Sequence, residues 1–129
     1  MGLSRRAFAA LAPLLAAGQD AHLRSGTFAF GDLAKKGKTR AVLAGSTDAG
    51  CPIEMHVTEL GPGEAPHPPH HHAHNEMIMI QQGTLDVMIG GKTTRLGPGS
   101  SAYIAANEEH GWSNAGASTA LYFVLAIGR

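Results

Sequence analysis

The sequence predicts an all-β fold, arranged as a sandwich or barrel in one domain. Seventeen glycines and seven prolines divide its 129 residues into short segments, as turns divide a chain of short strands. The apolar fraction of 43% is sufficient for a core, and the length is that of one domain. No helical periodicity stands out beyond the N-terminal segment, so we expect strands throughout the folded part.

Charge and cysteine content exclude several classes of function. Ten basic and ten acidic residues cancel, so neither nucleic acid nor an anionic membrane surface is an expected partner. Cys51 is the single cysteine, which excludes an intrachain disulfide and a metal site built from thiolates.

Residues 1–18 are predicted to be an export signal. Arg5 and Arg6 precede an apolar stretch, residues 9–17, and small residues follow it. Residues 4–8 resemble the twin-arginine motif, which sends folded proteins across the bacterial inner membrane. We therefore expect a periplasmic or otherwise exported protein with no membrane contact after the signal is removed. The alternative is an ordinary amphipathic N-terminal helix on a cytoplasmic protein.

The remaining chain divides into N-terminal strands and loops, residues 19–52, and a barrel core, residues 53–129. Strands are predicted where apolar residues alternate or cluster between turns. The predicted strands are residues 27–30, 40–44, 53–60, 77–80, 84–89, 92–96, 101–104, 110–114 and 119–127. In strand 53–60, His56 falls on the polar side, so we expect it on the surface or hydrogen-bonded, and not as a metal ligand.

Two of these predicted elements are especially informative. Gly90 and Gly91 lie between two strands, and paired glycines supply the positive φ angles of a tight hairpin turn. Residues 120–127 are apolar throughout, so both faces of the last strand should be covered. The core should cover one face of this strand, and we expect a second subunit to cover the other. The protein is therefore expected to be a homodimer.

A histidine-rich stretch, residues 66–83, contains five histidines within eight positions. Alternate side chains of a strand share a face, so His70 and His72 project together. Glu76 follows shortly after, and a slight bend would bring its carboxylate to the same ion. Imidazole and carboxylate suit Mn, Fe, Ni, Cu or Zn, so the pattern predicts a metal site. A histidine-rich tract can also be a surface feature without an evolved ligand role.

His110 is the distant partner that such a site requires. It begins a predicted strand in which Trp112 shares its face, and a barrel would bring this strand beside His70 and His72. Trp112 would then be a wall of the substrate pocket or ordinary barrel filling. Ile78 belongs to the predicted apolar interior, which suits a modest, partly hydrophobic substrate.

These segments resemble the two motifs of the cupin family. The first motif runs G-x(5–6)-H-x-H-x(3–4)-E-x(6)-G, and the second runs G-x5-P-x-G-x2-H-x3-N. The matching positions are Gly63, His70, His72, Glu76 and Gly83 in the first, and Gly99, His110 and Asn114 in the second. Ala105 and Asn107 replace the proline and the glycine of the second motif. Asn107 should preserve the turn, because asparagine tolerates left-handed backbone angles.

The resemblance implies a small jelly-roll barrel that holds one divalent transition metal with His70, His72, Glu76 and His110. Small cupins commonly dimerise. His74 is an alternative ligand, because it has the parity of His70 and a straight strand would offer it in place of Glu76. Four imidazoles would favour Zn or Cu. His67 and His71 are expected at the rim or on the surface.

An octahedral ion with these ligands would keep two positions for a small-molecule ligand or substrate. The resemblance implies a metal-dependent enzyme acting on a small organic molecule, namely a dioxygenase or a related lyase or isomerase. The alternative is a non-catalytic module that binds metal or a small ligand outside the cytoplasm. Neither the fold nor the ligand set selects among these activities, and no general acid or base is assigned by the sequence.

Overall fold

The computed structural model describes residues 21–128, and the predicted export signal lies outside the described residues. Nine strands and one short 3-10 helix make up the regular structure of this part, and it contains no α-helix. The strands are β1 (Lys35–Lys36), β2 (Thr39–Ser46), β3 (Pro52–Leu60), β4 (Asn75–Gln82), β5 (Leu85–Ile89), β6 (Lys92–Leu96), β7 (Ser101–Ile104), β8 (His110–Asn114) and β9 (Ala120–Ile127). The predicted all-β class is confirmed.

Two antiparallel sheets pack against each other. The larger sheet has six strands in the order β1-β2-β3-β9-β4-β7, and the smaller has three in the order β6-β5-β8. The predicted hairpin joins β5 to β6, and Gly90 and Gly91 take φ angles of 57° and 85°. Strands β4 and β8 lie in different sheets, and the histidine segment that precedes β4 pairs by its backbone with the start of β8.

The core fills that space with side chains from both sheets. Ile78 and Val124 of the large sheet pack with Leu85 and Val87 of the small sheet, and all four are almost fully buried. Burial alternates along the first part of β9, where Ala120, Tyr122 and Val124 are buried and Leu121 and Phe123 between them are half-buried. The period of two therefore separates an inner face from an outer face in this strand.

Strand β3 is oriented opposite to the expectation for His56. Thr58 pairs with Tyr122 and Leu60 pairs with Ala120, and these partners belong to the core. By alternation His56 also lies on the inner face, where its Nδ1 is 3.3 Å from Oε2 of Glu54. The prediction that His56 is on the surface or hydrogen-bonded is confirmed by this hydrogen bond, which lies on the inner face of the strand.

The predicted strand at residues 27–30 is absent. A short 3-10 helix, Phe30–Asp32, occupies its end, and Phe28 and Phe30 are exposed. Aromatic residues favour strands only where a neighbouring strand completes the ladder, and residues 27–30 have no such partner within the described chain. Among residues 21–128, no helix is long and apolar enough to cross a membrane.

Candidate metal centre

Backbone pairing brings the two histidine segments together. The N–H of His70 donates to the carbonyl of His110, and the N–H of His110 donates to the carbonyl of His70, both at 2.9 Å. This isolated antiparallel bridge lies before β4. The expectation that His70 and His72 belong to a strand was therefore wrong. The bridge nevertheless joins residues that are 40 positions apart in sequence.

The loop that precedes β8 is also tied to the histidine segment. The N–H of Asn107 donates to the carbonyl of His72 at 2.7 Å, and the N–H of Ala106 donates to Oδ1 of Asn75 at 2.8 Å. Asn107 has a φ of 66°, which confirms that asparagine can hold this left-handed turn. The two segments are therefore held in register by backbone atoms on both sides of the site.

Three imidazole rings lie close together, and that of His110 is fully buried. The ring centroids of His70 and His72 are 5.0 Å apart, those of His70 and His110 are 5.0 Å apart, and those of His72 and His110 are 4.8 Å apart. Each pair is inclined by about 70°. One nitrogen from each ring lies within 4.8 Å of the others, which is a spacing that a single ion can bridge.

Glu76, the second residue of β4, adds a carboxylate to the cluster. The chain bends at residues 73–74 before the strand begins, as the sequence required for this carboxylate to approach the histidines. Oε1 of Glu76 lies 3.2 Å from Nε2 of His110 and 3.6 Å from Nε2 of His72. Only 8% of Glu76 is exposed. Glu76 therefore faces His72 and His110, which also face His70, and coordination of one ion by all four residues stays a prediction.

The hydrogen bonds of two rings identify the nitrogens that face the cluster. Nδ1 of His110 donates to the carbonyl of Glu108 at 2.8 Å, and Nδ1 of His72 donates to the carbonyl of His74 at 3.2 Å. In the neutral ring, each Nε2 then carries a lone pair directed at the carboxylate. Metal-ligating histidines are commonly oriented in this way.

The facing atoms fit a cation. Nε2 of His72, Nε2 of His110 and Oε1 of Glu76 are buried, and none makes a hydrogen bond within the described chain. With both rings neutral, these lone pairs face the carboxylate and repel it, whereas a proton on His110 would pair this ring with Glu76. A divalent transition metal would satisfy all of these donors at once.

The electrostatics of the cluster follow from burial and proximity. Burial opposes ionisation of Glu76, but the adjacent His110, His72 and His74 hold the pKa of this carboxyl well below its usual range. Burial lowers the pKa of His70 to about 4, with help from neighbouring histidines. Burial also disfavours the charged form of His110, yet contact with Glu76 and the Glu108 carbonyl raises its pKa. His70 is therefore neutral and ready to ligate near pH 7.

The remaining histidines lie around this cluster. His74 stacks on His72 with centroids 3.8 Å apart, and its Nε2 is 3.6 Å from Oε2 of Glu76. It groups with these two residues rather than with His70 and His110, so its alternative ligand role also stays a prediction. His67 stacks on His70 at 3.9 Å, and His71 is exposed.

The two predicted pocket residues lie in the core beside the cluster. The Trp112 ring is 5.9 Å from that of His110 and 5.7 Å from that of Tyr122. Ile78 is fully buried, two residues beyond Glu76 on β4. Contact of either residue with a substrate remains a prediction.

Sequence reasoning missed the polar residues that β3 contributes to the interior. Glu54 and Thr58 are 7% and 4% exposed, and His56 lies between them on the same face. Their alternation with apolar residues was visible in the sequence. The sequence did not show which set of residues faces inward, because only the pairing of β3 with β9 decides this.

Comparisons with known proteins agree with this architecture. The cupin domain profile matches residues 56–127. KdgF from Halomonas sp. is similar in structure, with a TM-score of 0.66 and 18% identity over 82% of this chain and 96% of that chain. An RmlC-like cupin from Shewanella frigidimarina gives a TM-score of 0.65 and 15% identity over 81% of this chain and 93% of the other.

A third similar structure is the polyketide cyclase RemF from Streptomyces resistomycificus. Its TM-score is 0.63, with 18% identity over 82% of this chain and 81% of that chain. Identities this low establish a shared fold alone. No curated protein sequence matches the chain.

Proposed function

Because the chain belongs to the cupin family, whose domain profile covers more than half of it, we propose that it is a metal-dependent enzyme acting on a small organic substrate. The reaction is a dioxygenation, or a related lyase or isomerase reaction. One observation supports this proposal above all: Oε1 of Glu76 lies 3.2 Å from Nε2 of His110 and 3.6 Å from Nε2 of His72, and these three buried atoms make no hydrogen bond within the described residues. RemF, which has the same fold, is itself a cyclase.

The chain's own residues have distinct roles in this proposal. His70, His72, Glu76 and His110 hold one divalent transition metal, which would serve as a Lewis acid, a template or a redox centre. The carbonyls of Glu108 and His74 keep two of the rings oriented. Trp112 and Ile78 provide an apolar wall that excludes water from a small substrate.

Metal content is the first test. Protein purified without an affinity tag is analysed for Mn, Fe, Ni, Cu and Zn, since tag histidines would bind metal themselves. We expect about one ion per chain, removed by His72→Ala and retained by His71→Ala, which alters an exposed neighbour. Absence of any ion, together with failure to bind added metal, would refute the proposal.

Turnover distinguishes an enzyme from a binding module. The loaded protein is incubated with a panel of small carboxylates, diols and phenols, under air and under argon, and products are detected by NMR. Product that requires air indicates an oxygenase, and product under argon indicates a lyase or isomerase. Stoichiometric binding without product would instead favour the non-catalytic module.

We also propose that the protein is exported by the twin-arginine route, on the evidence of Arg5 and Arg6 in the sequence. Zn and Cu bind nitrogen–oxygen sites more tightly than Mn or Fe do. Export after folding would let the cytoplasm determine the ion that is loaded. Natively exported protein should then contain Mn or Fe, and recovery of mainly Zn or Cu would contradict this expectation.

A further inference from the structure

The apolar core is incompletely covered along one side. Ile89, Leu96 and Ala102 pack against the buried core but are themselves only half-buried. All three line one cavity of about 380 Å³, which Val87 also borders. Binding pockets for small molecules commonly have volumes of about 300–1,000 Å³. This cavity is therefore large enough for a small ligand that would cover the remaining apolar surface.

The cavity lies between the free edges of the two sheets. Its lining comes from β5 and β6 of the small sheet and from β7 of the large sheet. Each of β6 and β7 is the outermost strand of its sheet, and no strand pairing joins them within residues 21–128. Lys92 and Thr94 border the cavity and are exposed to solvent. A ligand can therefore enter between these two strands without displacing a residue of the core.

The charge of the lining indicates which ligand fits. Lys92 and Thr94 share one face of β6 by alternation, and Lys92 pairs across the hairpin with Ile89. The Lys92 ammonium group is the single charge in the lining, which contains no acidic residue. Lys35 and Arg95 contact carboxylates at 3.1 and 2.8 Å, whereas Lys92 forms no ion pair within residues 21–128. The lining therefore favours an anion that carries an apolar chain.

We propose that this cavity binds a monocarboxylate with a short aliphatic chain. The chain packs against Val87, Ile89 and Leu96, while the Lys92 ammonium group and the Thr94 hydroxyl bind the carboxylate. One cation matches one negative charge, and a charge-assisted hydrogen bond is stronger than a neutral one. The four proposed metal ligands do not line the cavity. The site is therefore separate from the metal centre and does not rest on the proposed function.

The test titrates the isotope-labelled full-length protein with butanoate, hexanoate, octanoate and 1-octanol, and NMR chemical shifts report both affinity and location. We expect shifts concentrated in β5, β6 and β7, and binding that tightens roughly three- to fourfold for each added methylene. Lys92→Met keeps the apolar stem of the side chain and removes its charge. It should weaken octanoate binding at least about fivefold and leave 1-octanol binding unchanged.

Substitutions at neighbouring positions of β6 provide matched controls. Thr94→Phe places a ring in the cavity from an exposed position, and it should weaken octanoate and 1-octanol at least about tenfold. Thr93→Phe adds the same ring on the other face of the strand, opposite Met88, and should bind both compounds normally. Arg95→Met removes a positive charge from that other face, and octanoate binding should survive it.

The remaining outcomes are also decisive. A lysine on an edge strand can serve only to discourage pairing with other chains, and that role alone predicts no octanoate binding. Absence of binding, shifts confined to the histidine cluster, or equal losses in Lys92→Met and Arg95→Met would overturn the inference. If Thr94→Phe does not fold, Ala102→Leu fills the cavity from β7 instead, and undiminished octanoate binding in that variant contradicts the inference. None of these results depends on metal content, which tests the proposed function separately.

Discussion

Local backbone atoms fix the orientation of two histidine rings in the candidate metal centre. His110 is fully buried, and its Nδ1 is held by the carbonyl of Glu108, two residues earlier in the chain. His72 is held in the same way by the carbonyl of His74. Because local backbone atoms orient both rings, less conformational entropy is lost on binding than with free side chains.

Loss of a ligand should therefore abolish tight metal binding. We expect His110→Ala and Glu76→Gln to lower the affinity for Zn²⁺ by at least about 100-fold, since even groups that only orient ligands contribute 10–100-fold. Affinity is measured by competition with a chromophoric chelator. His71→Ala is the control and should bind like the unaltered protein. His74→Ala tests the alternative ligand set: a loss as large as that of Glu76→Gln would assign His74 to the ion.

The pH dependence of the metal-free protein should report the contact between Glu76 and His110. The folded state lowers the pKa of Glu76 from 4.5, so its contribution is present above pH 4.5 and is lost as the pH falls. The folded state raises the pKa of His110 from 6.5, so its contribution is present below pH 6.5 and is lost as the pH rises.

The difference in the free energy of unfolding between the unaltered apoprotein and Glu76→Gln should therefore be largest between these two values. Urea unfolding from pH 3 to pH 9, with chelator present, measures this difference. A difference that is constant over the whole range would show that the two groups do not interact in the folded state.

Among the structural elements, β8 connects the candidate metal centre to the far end of the barrel. His110 stands at its start and Asn114 at its end. Nδ2 of Asn114 donates to the carbonyls of Leu60 and Ser118 at 2.9 and 2.8 Å, and its Oδ1 accepts from the N–H of Gly116 at 2.9 Å. This single amide thus links β8 to the end of β3 and to the turn before β9.

Removal of this amide should destabilise the fold at a distance from the cluster. We expect Asn114→Ala to cost roughly 2–3 kcal/mol, because it leaves buried carbonyls without donors. Ser113→Ala, on the half-buried side of the same strand, should change stability by less than about 0.5 kcal/mol. Chemical unfolding with the metal removed measures both values. An effect of Asn114→Ala as small as that of the control would contradict the role assigned to these hydrogen bonds.

At the scale of the whole molecule, the large sheet has a second apolar face on its outer side. One row across it comprises Met55, Leu125, Met77 and Tyr103, and Phe123 pairs with Met79 in the next. Met79 and Tyr103 are 42% and 55% exposed. An apolar face of this kind is typical of protein–protein contacts, and β9 presents one of its sides there. We propose that a second copy of the chain covers it.

The substitution Met79→Asp tests this homodimer. A charge at the centre of the contact should shift the protein from dimer to monomer in sedimentation equilibrium, without unfolding it, because Met79 is exposed in the single chain. Thr93→Asp places the same charge on exposed β6 of the other sheet and should leave the dimer unchanged. If the unaltered protein is itself a monomer in sedimentation equilibrium, the proposed homodimer is refuted.

Much of the fold and of the candidate site was predictable from local pattern. The glycine pair of the β5–β6 hairpin, the alternation of β5 and the apolar β9 each reflect a local requirement of backbone or burial. The site residues were found by spacing, since His70, His72 and Glu76 lie close together in the chain and His110 lies at a fixed position in a second motif.

Contacts between distant segments decided the rest. The sequence by itself determined that the chain is all-β and that four residues suited to a metal recur at cupin spacings. Only the tertiary structure decided that His70, outside any regular strand, bridges His110 at the start of β8, and that Glu54 and His56 face inward. The physical reason is that alternation defines two faces of a strand without indicating which one is covered. For β3, which is apolar on one face and polar on the other, pairing with β9 makes that choice.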